Sequence, residues 1–209
     1  MTGVFVTGTD TGVGKTVAAT CLAHAWRAVY WKPIQTGTAT GDDDTATVIA
    51  LAGLSPGRVA APVYALREPL SPHAAAELEG VTITMDAIVP PSTVHPLVVE
   101  GAGGILVPLN DRDFMIDLMA RLALPVILVA RSTLGTINHT LLSLAALRGR
   151  GLPIAGVIVN GPPNPGNRAA IERFGRVRIL AELPQVDPLH SGAVDGLSAR
   201  IPPLRDVVP

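Results

Sequence analysis

The chain has 209 residues, a net charge of −1 and 48% hydrophobic residues, yet only 3% aromatics, so its core has to be built from Ala, Val, Leu and Ile, as in a sheet covered by helices. That length suits one domain, expected over residues 1–209, able to bury roughly 70% of the surface its unfolded chain exposes. The balanced charge and the lack of any basic run exclude nucleic acid and anionic membrane surfaces as expected partners and leave small ligands.

In chain order, "GVFVTG" reads as a first buried strand, with no basic stretch before it that would predict an export leader. A helical pattern follows over residues 15–27; it contains the lone Cys21, so no disulfide framework is expected and a reducing cytoplasm fits. The runs "AVYWKP", "PLVVEG", "PVILVAR", "IAGVIVNG" and, more weakly, "VRILAELP" read as further buried strands, and residues 44–52, 114–122, 135–148 and 169–174 as helices. Strands alternating with helices predict an α/β fold, a parallel β-sheet flanked by helices. "PPSTVHP" and the tail "IPPLRDVVP" read as loop. The longest apolar run, "LALPVILVA", is too short to span a membrane and contains a proline. The five histidines, His24, His73, His95, His139 and His190, are too scattered to suggest a metal site.

Open parallel sheets bind ligands beyond the carboxyl ends of their strands, and the chemically unusual residues of this chain follow strands. After the first comes "GTDTGVGKT", a phosphate loop: its glycines let backbone amides turn toward phosphate oxygens, Lys15 can reach the β and γ phosphates, and the Thr16 hydroxyl can ligate Mg²⁺. Five residues separate Gly8 from Gly14, one more than the usual spacing. After the second strand stands Lys32, in a chain with 14 arginines and only one other lysine, Lys15. Either it is a strand-end lysine reaching solvent or it belongs to the site. "GDDD" then precedes a helix, where an aspartate can cap and another can hold Mg²⁺. Glu100 ends the third main strand in "VEGAGG", a position suited to metal or water, with small residues that allow close backbone approach. "STLGTINHT" offers amides and hydroxyls to an anion, or a simple helix cap, and Asn160 in "VNGPP" offers an amide to a base edge.

In this order, "VTGTDTGVGKT", "KPIQTG", "GDDD", "SPH", "VEGAGG" and "LGTINHT" closely resemble the dethiobiotin synthetase family, with "VNGPP" and "ELP" extending the match weakly to Pro184. The resemblance implies a P-loop NTPase-like sheet with helices on both faces and an ATP-dependent cyclo-ligase of biotin synthesis. Such an enzyme converts 7,8-diaminononanoate, CO₂ and MgATP to dethiobiotin, ADP and phosphate. It implies that Lys32 and Lys15 act in catalysis and that Thr16, Asp44 and Glu100 surround Mg²⁺. ATP would be held by Gly12, Val13, Gly14, Lys15, Thr16, Val17, Asp44, Glu100, Gly101, Ala102, Gly103, Asn160, Gly161 and Pro184. Substrate would meet Thr11, Thr36 and Ser71, and also Gly135, Thr136 and Asn138 from the partner chain of a homodimer with shared sites. Three departures stand out: Gly12 replaces an acidic residue of some members, the connection between the first helix and "AVYW" is shortened without a glycine turn, and the region after Pro184 is short. Two rivals are a partitioning or MinD-like ATPase switch, whose loop needs a lysine where this chain has Asp10, and a non-catalytic nucleotide-binding module, which leaves Lys32, the aspartates and Glu100 without a joint explanation.

Overall fold

The computed structural model describes residues 2–208 apart from Asp42. Its main sheet contains β1 (Gly3–Gly8), β2 (Val29–Trp31), β4 (Val59–Ala60), β6 (Leu97–Gly104), β7 (Val126–Arg131), β8 (Ile154–Asn160) and β9 (Ile179–Leu183). The order is β4-β2-β6-β1-β7-β8-β9, and every pairing is parallel. Two further strands, β3 (Ile34–Gln35) and β5 (Tyr64–Ala65), pair beside it. The six runs read as strands all occur in the main sheet, whereas the two-residue β3, β4 and β5 carry no period that sequence could show.

Because successive strand residues face opposite sides, each strand divides its apolar side chains between two cores. Val4, Val6, Tyr30, Val98, Ile127 and Val129 pack with α1 (Lys15–Ala25), α2 (Asp44–Ala52) and α7 (Ser191–Ser198). Phe5, Trp31, Val99, Leu128 and Ala130 face the other layer, with α3 (Pro72–Leu78), α4 (Met115–Leu122), α5 (Thr136–Gly149) and α6 (Pro165–Gly175). α6 is longer than residues 169–174 suggested: Asn164 caps it by accepting from the Asn167 amide, and Pro165 opens it. Neither α3 nor α7 was expected from the sequence; α3 is short, and α7 contains two glycines.

The shortened connection between α1 and β2 is solved by an arginine. Arg27 adopts φ +49°, the left-handed conformation that glycine would take at a helix end, and its carbonyl accepts a hydrogen bond from the Arg58 guanidinium. Ala28 then turns directly into the strand. Glycine suits this backbone and a β-branched residue does not, so Arg27→Gly should stay within about 1 kcal/mol of the parent while Arg27→Val loses about 1–2 kcal/mol more. Urea unfolding midpoints at unchanged slope will measure the difference.

Candidate active site

β1 lies between β6 and β7, and the loop leaving its carboxyl end wraps the start of α1. Gly14 forms the helix N-cap at φ +94°, with no side chain capping the first amides and no acidic residue in the first turn. A Cβ there would also sit 2.2 Å from the Asn160 Nδ2, which donates to the Val13 carbonyl at 3.2 Å. Only glycine satisfies both the backbone angle and that approach. Lys15 folds back over the loop and donates from Nζ to the Asp10 carbonyl at 3.0 Å. Asp10 is itself braced, its carboxylate accepting from the Thr11 amide and the Arg131 guanidinium, each at 2.7 Å. A partitioning ATPase would require its signature lysine at this position, which here holds the Arg131 partner.

The second half of the site comes from strand register. Tyr30 pairs with Val98 and Trp31 with Val99, and one step further Lys32 comes beside Glu100. Period two puts Tyr30, Lys32 and Glu100 on the α1 side of the sheet. Lys32 is therefore no solvent lysine: it is 4% exposed, and Glu100 is 1% exposed. Its Nζ donates to the Asp44 Oδ2 and, at 3.3 Å, to the Glu100 Oε1. The aspartate run divides its labour. Asp43 caps α2 by accepting from the Ala46 amide, while Asp44 turns into the site; Asp42, the third candidate, lies outside the described residues.

The Thr16 hydroxyl lies 2.7 Å from the Asp44 Oδ1 and 2.9 Å from the Glu100 Oε1. One hydroxyl proton can satisfy only one of these oxygens, so two anionic acceptors and a hydroxyl converge where a hard cation would satisfy all three. Among the described residues no group of three or more His, Cys, Asp or Glu side chains could hold a metal on its own. The donor set would fit a Mg²⁺ arriving with nucleotide phosphates, an ion that needs only one or two carboxylates.

Charges shape one another here. Burial works against a charged Lys32, but the Glu100 and Asp44 carboxylates outweigh it and hold its pKa above the ordinary lysine value. For Asp44, burial is likewise outweighed, by the Lys32 charge and the hydrogen bonds from Lys32 and Thr16, and its pKa is lowered. Lys15 differs: burial, only partly offset by Glu100, Asp44 and Asp10, leaves it below the ordinary value. An arriving polyphosphate would favour its charged form.

A cleft of about 560 Å³ opens over these groups. Thr11, Gly12, Gly14, Lys15, Thr16, Val17, Lys32, Thr36, Asp44, Ser71, Glu100, Ala102 and Gly103 all line it. Val13 is packed in the α1-side core, and Gly101 lies against Phe5, where a Cβ would come within 2.8 Å. Asn160, Gly161 and Pro184 stand at the ends of β8 and β9, on the side of the phosphate loop away from Lys32. Gly135, Thr136 and Asn138 open α5 and do not line the cleft; Gly135 and Asn138 are exposed, while the Thr136 side chain is buried with its hydroxyl 3.5 Å from that of Thr140. Tyr30 donates to the Glu100 Oε2 at 2.9 Å, a site contact that the apolar run "AVYW" does not reveal. Its spacing of two from Lys32 was the available signal.

A parallel sheet whose first strand feeds an open glycine loop, with lysine and threonine beginning the next helix, defines the class of P-loop nucleotide-binding proteins. Solved structures agree on this fold and show the fold alone. A ParA family ATPase from Chlorobium tepidum matches at TM-score 0.56 and 12% identity, over 96% of this chain and 92% of that one. The Pyrococcus furiosus cell division ATPase MinD matches at 0.54 and 12%, over 96% and 98%. Sequence relatives go further. The AAA domain family model matches residues 2–192. The ATP-dependent dethiobiotin synthetase BioD of Paramagnetospirillum magneticum is 53% identical over 94% of this chain and 95% of its own length, and that of Nitrobacter hamburgensis 52% over 90% and 88%. The biotin biosynthesis bifunctional protein BioCD of Bordetella avium is 58% identical over 97% of this chain, which spans 43% of that longer relative. The chain belongs to the AAA domain family and, within it, to the ATP-dependent dethiobiotin synthetases.

The buried charges predict a sharp stability cost. Lys32→Met leaves Glu100 without its cation and should destabilise the ligand-free protein by about 3–5 kcal/mol. Adding Glu100→Gln should recover much of that loss, a non-additivity that denaturant unfolding of the two single variants and the double variant will expose.

Proposed function

We propose that this chain catalyses the ATP-dependent closure of the ureido ring of dethiobiotin from 7,8-diaminononanoate and CO₂, releasing ADP and phosphate, in the cytoplasm and as a homodimer. The observation that carries this reading is the single cleft lined by the phosphate-loop Lys15 and Thr16, the Lys32–Asp44–Glu100 cluster, and Thr11, Thr36 and Ser71. One amine adds to CO₂ and loses a proton, giving a carbamate. A carbamate oxygen displaces ADP from the γ-phosphorus, and the second amine then attacks the carbonyl carbon, expelling phosphate and closing the ring.

Lys15 fixes charge on the β and γ phosphates from the loop side, and Lys32 neutralises charge building on the carbamate and the transferring phosphoryl group from the opposite side. Thr16, Asp44 and Glu100 would hold a Mg²⁺, which neutralises phosphate oxygens when bound. Thr11, Thr36 and Ser71 orient the diamine. Asn160, with Nδ2 engaged by Val13, keeps its side-chain oxygen for a base amino group, with Gly161 and Pro184 beside it.

Support for a second copy comes from the surface next to the loop. Leu106 and Leu142, each 62% exposed, line a hollow of about 300 Å³ that also contains Thr9, Asp10 and Thr11. Leu134, 99% exposed, stands just before α5. A partner covering this face would bring its own Gly135–Asn138 segment, an uncapped helix start with Gly135 at φ +92°, to the carboxylate of the substrate. With Thr136 turned inward, Asn138 supplies the exposed side chain.

Diaminononanoate-dependent ADP release tests the reading. Lys15→Gln should abolish it and Lys32→Ala should lower turnover by at least roughly 10²-fold without unfolding the nucleotide complex. Mixing inactive Lys15→Gln chains with Asn138→Asp chains should regenerate activity, because one site of each mixed dimer collects both lesions and the other has none. Nucleotide turnover indifferent to the diamine would refute the assignment.

A further inference from the structure

Tyr30 is fully buried, yet it keeps a polar atom at the edge of the site. Its hydroxyl donates to the Glu100 Oε2 at 2.9 Å, the one hydrogen bond described for that oxygen. The other oxygen, Oε1, is the one presented to Thr16 at 2.9 Å and Lys32 at 3.3 Å. Glu100 is thus divided: one oxygen faces the cation-binding junction and the other is tied down in a side chain with no solvent exposure. The tie is set by the sheet. Tyr30 and Glu100 stand on adjacent strands, and the register that puts Tyr30 opposite Val98 sends both side chains to the α1 face.

Resting on the reading that Thr16, Asp44 and Glu100 hold the nucleotide's metal, we infer that Tyr30 determines which metal the site prefers, by restricting Glu100 to a single ligating oxygen. Mg²⁺ takes six ligands at about 2.0–2.1 Å, keeps several waters and accepts carboxylates through one oxygen, whereas Ca²⁺ takes about six to eight at 2.3–2.6 Å and commonly binds a carboxylate through both. A glutamate whose second oxygen is occupied by a phenol serves the first ion and cannot give the second its bidentate grip.

The test compares Mg²⁺ with Ca²⁺ in promoting binding of a non-hydrolysable ATP analogue to the full chain, by calorimetry, in the parent and in Tyr30→Phe. The ring is retained, so packing is unchanged and only the O–H is lost. The ratio of Mg²⁺-supported to Ca²⁺-supported affinity should fall about fivefold or more, the change expected from one hydrogen bond. A purely structural tyrosine would weaken both alike and leave the ratio where it was, which overturns the inference while the metal site and the reaction stand. Analogue binding that ignores both ions in the parent overturns the metal assignment and this inference together. Should Tyr30→Phe not fold, Tyr30→Met removes the same donor and the ratio is read there.

Discussion

The structure turns on a buried lysine held between two carboxylates. A charge removed from water is costly unless matched in sign and hydrogen-bonded, so with Lys32 at 4% exposure the positions of Glu100 and Asp44 are tightly constrained. Glu100 must end a strand adjacent to β2 and in register with it, which the β2–β6 pairing provides. Asp44 must arrive from above, which requires α2 to start next to the strand ends, with Asp43 capping it so that Asp44 is free to turn inward. Sheet order, helix start and rotamers thus answer to one electrostatic condition.

The phosphate loop obeys a second, steric condition that meets the first at Thr16. Gly14 has to approach Asn160 closely and take a positive φ for α1 to begin uncapped. That start places Lys15 over the loop and Thr16 under both carboxylates. The two lysines therefore flank the site from different elements, one from a loop and one from a strand end. Burial lowers both pKa values; at Lys32 the two carboxylates it touches outweigh burial, whereas Lys15, which hydrogen-bonds a neutral carbonyl and feels the Lys32 charge, stays below its ordinary value. The less well compensated lysine is the one suited to an anionic ligand.

Much of this was legible in the sequence because its causes are local. Buried parallel strands show as β-branched runs, and a phosphate loop shows as glycines before Lys-Thr. The strands of two residues were not legible, since they exist only through pairing with neighbours. The end of α1 at Ala25 and the left-handed turn at Arg27 were not either, because the residue that makes the turn is not the residue that favours it. Among the acids, the run by itself did not separate three aspartates and only the resemblance singled out Asp44; in the structure the helix start consumes Asp43 as its cap and Asp44 turns inward. The inward turn of Thr136 is of the same kind: the sequence places a hydroxyl at a helix start, and the helix phase decides that its side chain is buried.

The choice of lysine over arginine also has a physical basis. The chain uses arginine at 14 positions and lysine at two, and both lysines are buried beside the cleft. Arginine presents a planar fork of five donors suited to bidentate pairing, which at position 32 would need several acceptors in one plane. What the site offers instead is one oxygen from Asp44 and one from Glu100, from different elements, with Thr16 bridging the same two carboxylates. A compact ammonium with rotatable donors fits between two oxygens and leaves a charge free to act on whatever enters the cleft. A fork would satisfy itself on one carboxylate and displace the other, closing the junction where Thr16, Asp44 and Glu100 converge. The rarity of lysine in this chain thus marks the positions where a point charge is required, while guanidinium groups serve elsewhere, as Arg131 does in bracing Asp10 at the rim of the loop.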